Sequence, residues 1–515
     1  MNYNNFLKLS ISVTATLSLT NCSSDNKTDS AKNPNIILIL ADDLGYGELG
    51  VYGQNKIETP NIDKLAESGM KFTQHYSGSA VCAPSRCALL TGQHMGNAYI
   101  RGNDEWAERG EVWDFVKAVK DPNLEGQRPL PDSIKTLSNI LQQNGYKTGM
   151  VGKWGLGGPF SEGIPNNRGF DFFYGYNCQR QAHTYYPMHL WKNKDKELLR
   201  NKLVPPHQKL KEGADPYNIK SYSDFNLTDY SPELMHKEAL NFINSNKDSS
   251  FFLYYASPIP HVALQAPQKW IDYYVKKFGD EKPYDGSNGY FPSRYPHATY
   301  AAMISYLDEQ VGELITELKK LDIYENTIII FTSDNGASYA GGADPEFFNS
   351  GGLFNSEYGR GKGFLYEGGI RVPFIASWPN KINPGTESNH ISAFWDILPT
   401  ICEINNLSSP TNIDGVSFLP TLLGKQQDQP EYLYFEFPEY GGQQAVRMGN
   451  YKAIRNDIKK GNLEIELYDL NNDIKEEINI ADQNPKVIER IKEIMIKEHT
   501  PSALPKFKLE ALGDK

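Results

Sequence analysis

The sequence predicts an α/β fold built on a large, mostly parallel sheet between helices, followed by a small antiparallel sheet with a helix. Two observations predict it. Apolar strands alternate with amphipathic helices through the first four hundred residues, and residues 426–515 read as short strands before one helix. A chain of 515 residues is also long enough to bury a large core.

The alternating units follow one another in chain order. The run "NIILIL" (35–40) is continuously apolar, which is typical of a strand buried on both faces of a parallel sheet. A helix is predicted next, in "TPNIDKLAESG". Helix–strand pairs follow in "SIKTLSNILQQNGYKTGMVG", in "SPELMHKEALNFINSN" with "SFFLYYASP", and in "YAAMISYLDEQVGELITELKKL" with "NTIIIFTSDNG". In doubly wound sheets ligands bind beyond the carboxyl ends of the strands, so residues at those ends are the candidates for function.

The C-terminal sheet is predicted from "YLYFEF", "QQAVRMG", "YKAIRN" and "LEIELYDL", and its helix from "PKVIERIKEIMIKEH". Composition becomes loop-like around residues 410–429, which sets the boundary. The predicted organisation is a signal peptide (1–22), a flexible tether (23–33), a main domain (34–425) and a C-terminal α+β subdomain (426–515).

The N-terminus reads as an export signal. Lys8 precedes a short apolar stretch, too short to span a membrane, and Cys22 follows it. This resembles a bacterial lipoprotein signal that is cut before a lipidated cysteine. Asn21 departs from the usual small residue, so a simple secretory signal is the alternative. We expect a periplasmic or cell-surface protein whose membrane contact is through the lipid anchor.

Charge and cysteine content narrow the functional classes. A net charge of -11 argues against nucleic acid as a partner, because no basic field would attract phosphates. Apart from Cys22, the cysteines are Cys82, Cys87, Cys178 and Cys402, and their spacings match no zinc site. A disulfide between any two of them remains open.

Acidic side chains follow two of the predicted strands. Asp42 and Asp43 come after the first strand, and Asp334 and Asn335 come after a later one. If these strands are neighbours, three carboxylates and an amide oxygen converge, a donor set that favours Ca²⁺ or Mg²⁺ over zinc. The alternative is that these residues cap loops or helix starts. Both pairs together favour the metal.

The stretch "VCAPSRCALLTGQ" (81–93) predicts a short helix that begins near Cys82 and stops at Gly92. Cys82 would then lie at a helix N-terminus with Arg86 one turn on. Such an environment lowers a thiol pKa and makes the cysteine a reactive nucleophile. A buried structural cysteine is the alternative.

These residues resemble a family signature. Cys82-Ala83-Pro84-Ser85-Arg86, with Leu89, Thr91 and Gly92, is similar to the signature of the type I sulfatases, in which a separate enzyme oxidises the cysteine to formylglycine. The resemblance extends through "ADDLGYGELGVYG", "GKWGLG", "PIPH", "SDNGA", "GKGFLYEGGIRVPF", "QAVRMGNYKAIR" and "LYDLNND", in the order of the family. It implies an alkaline-phosphatase-like fold.

The resemblance also implies roles. Asp42, Asp43, Asp334 and Asn335 would bind one Ca²⁺, together with an oxygen of the modified Cys82. The hydrated aldehyde at residue 82 would attack sulfur through one hydroxyl and release sulfate through the other. The residues that would neutralise the transferring group are Arg86, Lys153 and Lys362. His261 would protonate the leaving alcohol.

One position departs from the family. Gly155, in "GKWGLG", stands where the family usually has a histidine that contacts the hydrated aldehyde. We expect either another imidazole to compensate, with His183 the first candidate and His94 the second, or slower turnover.

The expected substrate is a sulfated polysaccharide or its oligosaccharides, such as ulvan, carrageenan, fucoidan or a glycosaminoglycan. Aromatic-rich loops suggest sugar stacking by Tyr185, Tyr186 and Trp191, and Arg101 or Arg180 would hold a neighbouring acid group. The alternative is that the aromatics only pack the loops.

Two other functions stay open. One is a phosphodiester or phosphonate hydrolase of the same superfamily, which the intact signature and Lys362 disfavour. The other is a non-catalytic glycan-binding lipoprotein, for which Gly155 is the one supporting feature.

Overall fold

The computed structural model of the protein describes residues 33–515. The predicted signal peptide, Cys22 and nearly all of the tether lie outside the described residues. The strands are β1 (Asn35–Asp42), β2 (Met70–Phe72), β3 (His75–Tyr76), β4 (Lys147–Lys153), β5 (Phe172–Tyr176), β6 (His189–Lys192), β7 (Asp195–Leu198), β8 (Phe251–Pro260), β9 (Thr327–Ser333), β10 (Phe374–Ser377), β11 (Thr386–Ser388), β12 (Ser392–Ala393), β13 (Leu433–Phe437), β14 (Gln443–Met448), β15 (Tyr451–Arg455) and β16 (Glu466–Asp469).

The α-helices alternate with these strands. They are α1 (Pro60–Glu67), α2 (Cys82–Thr91), α3 (Phe115–Lys120), α4 (Leu137–Gln143), α5 (Ser231–Asn246), α6 (Gln268–Phe278), α7 (Pro296–Lys320), α8 (Pro345–Phe348), α9 (Glu367–Ile370), α10 (Ile397–Ile404), α11 (Leu419–Leu422) and α12 (Pro485–Glu498).

The main sheet has the strand order β11-β2-β10-β9-β1-β8-β4-β5-β6-β7. Its centre is parallel, because β1 pairs in parallel with both β8 and β9, and β4 pairs in parallel with β8 and β5. Antiparallel pairing appears toward the flanks, at β10 and at β6 with β7. The predicted fold class is confirmed, and the four central strands β9, β1, β8 and β4 have their carboxyl ends at one edge.

Alternate residues of β1 face two separate cores. Ile36, Leu38 and Leu40 belong to a core cluster that contains residues of α2, α4 and α10. Ile37 and Ile39 belong to a second cluster that contains residues of α1, α5 and α7. All of β1 is buried, as the continuous apolar run predicted. Helices therefore cover the sheet on both faces and leave its carboxyl edge as the place for a site.

The C-terminal sheet, of order β13-β14-β15-β16, is antiparallel throughout. One face packs against Ile491 and Ile494 of α12, while Phe435 and Ile454 on the other face join the core of the main sheet. A buried lysine, Lys452, adds an ion pair across this contact, with its Nζ 2.9 Å from Oε1 of Glu367. The C-terminal sheet therefore packs directly against the core of the main sheet.

Two further features bear on the sequence analysis. Cys82, Cys87, Cys178 and Cys402 are all buried free thiols, so the structure forms none of the disulfides that were left open among these four. In the part of the chain that the structure describes, no helix combines the length and apolar character that a membrane crossing needs.

Candidate active site

Polar side chains at the ends of four neighbouring strands lie close together at the carboxyl edge of the sheet. β1 ends at Asp42, β4 ends at Lys153, Asp334 follows β9, and His261 follows β8. The register pairs Ala41 with Ser333, so the acids after β1 and β9 emerge side by side. The assumption made from the sequence, that these two strands are neighbours, is correct.

The acids form a buried cluster. The backbone N–H of Asp43 donates to Oδ1 of Asp334 at 3.1 Å, and Nδ2 of Asn335 donates to Oδ1 of Asp43 at 2.8 Å. Oδ1 of Asn335 is buried and has no hydrogen-bond partner among the described residues. Ligand atoms of Asp42, Asp43, Cys82 and His261 lie within 4.8 Å of one another. Converging carboxylates beside an unpartnered amide oxygen fit a hard, oxygen-binding cation.

Three cations balance the three carboxylates. Nζ of Lys153 lies 2.6 Å from Oδ2 of Asp42, and Nζ of Lys362 lies 2.6 Å from Oδ1 of Asp43. The guanidinium of Arg86 lies 2.8 Å from Oδ2 of Asp334 and also contacts Asp42 and the Lys153 carbonyl. The acid cluster therefore holds all three cations in place, and Lys153 and Lys362 also line the cavity in which an anion would bind.

The charges in this cluster shift the pKa values of one another. Burial would raise the pKa of Asp42, but Lys153 and the other nearby cations hold it well below its usual range. Burial, together with the negative charge of Asp42, raises the pKa of Asp334 to about 6. Like charges this close compete for the same cations, which is a further reason to expect a metal ion among them.

Cys82 is the first residue of α2 and is buried at the centre of this cluster. Its Sγ lies 3.4 Å from Nζ of Lys153 and 3.7 Å from Nζ of Lys362. The predicted helix and its stop at Gly92, with φ +72°, are both present. Cys87, one and a half turns on, is buried in the core cluster beneath the sheet.

The predicted activation of the thiol is wrong. Burial and the adjacent Asp42 raise the pKa of the Cys82 thiol well above its ordinary value, despite the nearby lysines. Arg86 does not turn back to the sulfur, because its guanidinium is taken by Asp334 and Asp42. An unmodified Cys82 would be a protonated thiol and a poor nucleophile.

His261 faces the same cluster from β8. Its Nδ1 donates to the Val262 carbonyl, and its Nε2 lies 3.8 Å from Oδ2 of Asp43. Burial and the nearby lysines lower the pKa of His261 well below its ordinary value. The ring stacks on that of His183, with centroids 5.3 Å apart. The hydrogen bond through Nδ1 fixes the ring, so that Nε2 is the atom offered to a ligand.

A cavity of about 410 Å³ opens above Cys82. Trp113, Tyr358 and Tyr440, which we call the aromatic rim, line it and are 62%, 78% and 62% exposed. Exposed aromatic rings around a charged floor suit a ligand with flat apolar faces and an anionic group.

The structure brings some of the predicted substrate residues to this cavity. Arg180 and His183 line it. The guanidinium of Arg180 donates to the carbonyls of Trp113 and Val112, and it lies under the Trp113 ring, 5.3 Å from the centroid. Arg180 therefore supports the rim as well as contributing a charge.

The other predicted substrate residues lie elsewhere. Nε2 of His94 lies 3.1 Å from Glu498, and the guanidinium of Arg101 lies 3.1 Å from Glu436, so both residues tie the loop after α2 to the C-terminal segment and do not line the cavity. Tyr185 is fully buried, with its hydroxyl against the carbonyls of Pro258 and His261. It supports the His261 loop and offers no face for a sugar to stack on.

Tyr186 and Trp191 also need correction as stacking residues. Tyr186 packs against Tyr230 at 5.4 Å between centroids, and the indole of Trp191 is buried and donates to Glu125 at 2.5 Å. For these aromatics the alternative, that they pack the loops, is the one the structure supports.

Sequence reasoning missed several cavity residues, which are Asn103, Glu105, Gln179, Asn288, Tyr290, Tyr339, Phe364 and the aromatic rim. Trp113 lies just before α3 and Tyr290 lies in the loop between α6 and α7, and neither was singled out from the sequence. Tyr358 and Tyr440 carried no signal, because they come from two separate loops far apart in the sequence.

The side chain of Gln179 occupies the space beside Gly155 that a side chain at residue 155 would fill. Gly155 has φ +100°, and a Cβ built there would lie 2.5 Å from Nε2 of Gln179. Of the two imidazoles expected to compensate, only His183 lines the cavity, and the side chain that lies against residue 155 is the amide of Gln179.

Known proteins are similar to this chain over a range that includes all the residues of the site. The family model described as Sulfatase matches residues 34–406, and one described as N-sulphoglucosamine sulphohydrolase, C-terminal, matches residues 357–500. Arylsulfatase A of Homo sapiens is 33% identical over 444 residues, which cover 82% of this chain and 75% of that protein. N-acetylgalactosamine-6-sulfatase of Canis lupus familiaris is 31% identical over 431 residues, which cover 82% and 71%.

Solved structures are similar in fold. Ps i-CgsB in complex with k-i-k-neocarrahexaose superposes with a TM-score of 0.69 at 27% identity, covering 91% of this chain and 93% of that chain. A sulfatase structure from Bacteroides thetaiotaomicron, described within the metabolism of multiple glycosaminoglycans, has a TM-score of 0.70 at 26% identity and covers 91% and 99%.

Proposed function

The chain belongs to the sulfatase family and is a sulfuric ester hydrolase, and from this membership we propose that it removes sulfate from a sulfated saccharide at Cys82. The observation that carries the proposal is the meeting of Cys82, Lys153 and Lys362 at the floor of a cavity edged by exposed aromatic rings. The lysines suit a sulfate group, and the rings suit the sugar that bears it.

A calcium ion belongs to this proposal. The residues that would hold it are Asp42, Asp43, Asp334 and Asn335, whose oxygens form the hard donor set described above. When bound, the ion supplies positive charge that offsets the charge of the transferring group. Lys153, Lys362 and Arg86 add to that charge, because each is already aimed into the cluster by a carboxylate.

We further propose that a separate enzyme oxidises Cys82 to formylglycine. The support is chemical, since the buried thiol has a raised pKa and is unsuited to attack sulfur as it stands. The hydrated aldehyde supplies one hydroxyl for attack and a second through which sulfate leaves. A modifying enzyme that acts on the unfolded or partly folded chain is therefore the implied partner.

His261 is the proposed proton donor to the leaving alcohol. Its Nδ1 hydrogen bond to the Val262 carbonyl fixes the ring, and Nε2 faces Asp43 on the floor of the cavity. With Nδ1 as the donor and its pKa lowered, the ring is neutral before substrate binds and Nε2 carries no proton. The negative charge of a bound sulfate ester would favour uptake of a proton at Nε2, which would then lie beside the oxygen that bridges sulfur and sugar.

The proposed substrates are sulfated oligosaccharides of the carrageenan or N-acetylgalactosamine 6-sulfate type, with ulvan and fucoidan fragments as further members of the class. Two relatives support this choice, namely the carrageenan-oligosaccharide complex of Ps i-CgsB and N-acetylgalactosamine-6-sulfatase. The cavity volume of about 410 Å³ is in the range of small-ligand sites and suits one or two sugar residues.

The test is sulfate release measured by ion chromatography from a panel of these oligosaccharides, with 4-nitrophenyl sulfate as a small substrate. We expect Trp113→Ala and Tyr440→Ala each to lower kcat/KM on the best oligosaccharide by roughly 2–10-fold, through KM, because a stacked aromatic contributes about 0.5–1.5 kcal/mol. Activity on 4-nitrophenyl sulfate should change less than twofold, since that substrate has no sugar ring to stack on the rim.

Tyr217→Ala is the matched control, because Tyr217 is a comparably exposed ring that does not line the cavity. It should leave both activities unchanged. Equal losses on the oligosaccharide and on 4-nitrophenyl sulfate in the rim variants would contradict a sugar-stacking role. No sulfate release from any saccharide of the panel, with 4-nitrophenyl sulfate still cleaved, would reject the proposed substrate class.

A further inference from the structure

The short turn after β5 presents an unpaired amide to the cavity. Gln179 lines the cavity together with Cys82 and Lys153, and the residue is 5% exposed. Its Nε2 has no hydrogen-bond partner among the described residues. A buried N–H without an acceptor costs free energy that a ligand oxygen would recover, so the unpaired amide points to a bound oxygen.

The backbone fixes where this amide lies. The N–H of Gln179 donates to Oε1 of Gln127 at 2.9 Å, and Nε2 of Gln127 donates to Oε1 of Glu105 at 2.7 Å. The side chain then runs along Gly155, where a Cβ would meet its Nε2, Cδ and Cγ at 2.5, 2.7 and 2.9 Å. The missing side chain at residue 155 is therefore what gives the Gln179 amide its room.

Gln179 also lines the same cavity as Cys82 and Lys153, and Gly155 connects it to the strand that bears this lysine. It follows Lys153 by two residues, and Nζ of Lys153 lies 3.4 Å from Sγ of Cys82. The strand that carries Lys153 to the floor of the cavity thus leads directly to the surface on which the Gln179 side chain rests.

We propose that Gln179 is a substrate-binding residue that donates a hydrogen bond from Nε2 to an oxygen of the sulfate group held at residue 82. This inference rests on the proposed function. A sulfate group only accepts hydrogen bonds, and an amide N–H₂ only donates them, so the two match. Lys153 and Lys362 supply the charge, whereas the neutral amide fixes the orientation of the sulfate without gaining or losing a proton.

The first measurement is the binding of inorganic sulfate by calorimetry, beside kcat/KM on 4-nitrophenyl sulfate. Gln179→Ala should weaken sulfate binding and lower kcat/KM by roughly 10–100-fold each, the usual loss for one hydrogen bond to a charged group. The matched control is Gln181→Ala, since the Gln181 amide is also buried and unpaired but lines a different cavity. It should stay within twofold of the unchanged protein.

Gln179→Glu adds a readout that a merely structural role would not move. Its carboxylate repels sulfate at neutral pH, so sulfate binding should fall below that of Gln179→Ala. As the pH drops and the new side chain takes up a proton, it becomes a donor, and binding should recover relative to the unchanged protein measured at the same pH. Thermal unfolding of each variant confirms that the fold is retained.

The outcomes separate the two proposals. Sulfate binding by Gln179→Ala within twofold of the unchanged protein, or a Gln179→Glu variant with no pH-dependent recovery, overturns the role of Gln179. Weakened sulfate binding in these variants, in a protein that cleaves none of the proposed sulfated saccharides, supports the role of Gln179 as an anion ligand and rejects the proposed substrate.

Discussion

Cys82→Ala is expected to lower sulfate release by at least about 10³-fold, because alanine has no thiol to be converted to the aldehyde whose hydrate attacks sulfur. The lysines at 3.4 and 3.7 Å from Sγ would still bind the substrate, so KM should change far less than kcat. The measurement is kcat and KM on 4-nitrophenyl sulfate, with enzyme prepared alongside the modifying enzyme.

Cys87→Ala is the control for this variant. Cys87 lies on the same helix and is equally buried, but it faces the core and not the cavity. We expect this change to cost about 1–2 kcal/mol of unfolding free energy as a small core truncation and to leave kcat within twofold. Turnover by Cys82→Ala within tenfold of the unchanged protein would reject residue 82 as the nucleophile.

Asp43→Asn is expected to abolish Ca²⁺-dependent stabilisation and to lower kcat/KM by at least about 10³-fold, because it removes one charge of the metal site without changing its shape. A ligand at a thousandfold excess over its Kd stabilises the folded state by about 4 kcal/mol, and this variant should lose that gain. It also leaves Lys362 without the carboxylate at 2.6 Å that orients it. Thermal unfolding at increasing Ca²⁺, beside activity, checks both effects.

Asp308→Asn is the matched control. Asp308 is also a buried carboxylate, but it accepts hydrogen bonds from the backbone of Asn61 and Ile62 at the start of α1, away from the cavity. Its replacement should destabilise the protein while leaving the response to Ca²⁺ and kcat unchanged. A Ca²⁺ response in Asp43→Asn equal to that of the unchanged protein would contradict the proposed metal site.

The residues of the site that the sequence could predict are those at the ends of the strands. Apolar runs fixed the positions of β1 and β9, and parallel strands end at a common edge, so Asp42 and Asp334 had to converge once the strands were neighbours. Lys153 and His261 follow the same logic, but only the family resemblance singled them out from ordinary polar residues at strand ends.

The predictions that were wrong concern residues whose position depends on the path of the chain after it leaves that edge. Helix α2 starts at the site and runs away from it for ten residues, about 15 Å. His94 and Arg101 come after its far end, and they meet Glu498 and Glu436 of the C-terminal segment instead of the substrate. The direction of α2 therefore carries both residues away from the cavity, which the sequence did not show.

The prediction of a lowered pKa for the Cys82 thiol was wrong for a different reason. Helix position and a neighbouring arginine argue for a lower pKa, whereas burial argues for a higher one, and the sequence reveals only the first two. The structure shows that burial dominates at Cys82 and that Arg86 is bound elsewhere. Likewise, the contact between Gln179 and Gly155 joins two turns that sequence analysis had no means to pair.

The mass of the peptide that contains residue 82 tests the central claim most directly, which is that Cys82 becomes the nucleophile by oxidation. In active protein made with the modifying enzyme, we predict a loss of about 18 Da from the cysteine peptide, as conversion of a thiol to an aldehyde requires. Active protein with an unmodified peptide, or with the loss of about 2 Da that a disulfide to Cys87 would give, would contradict the account.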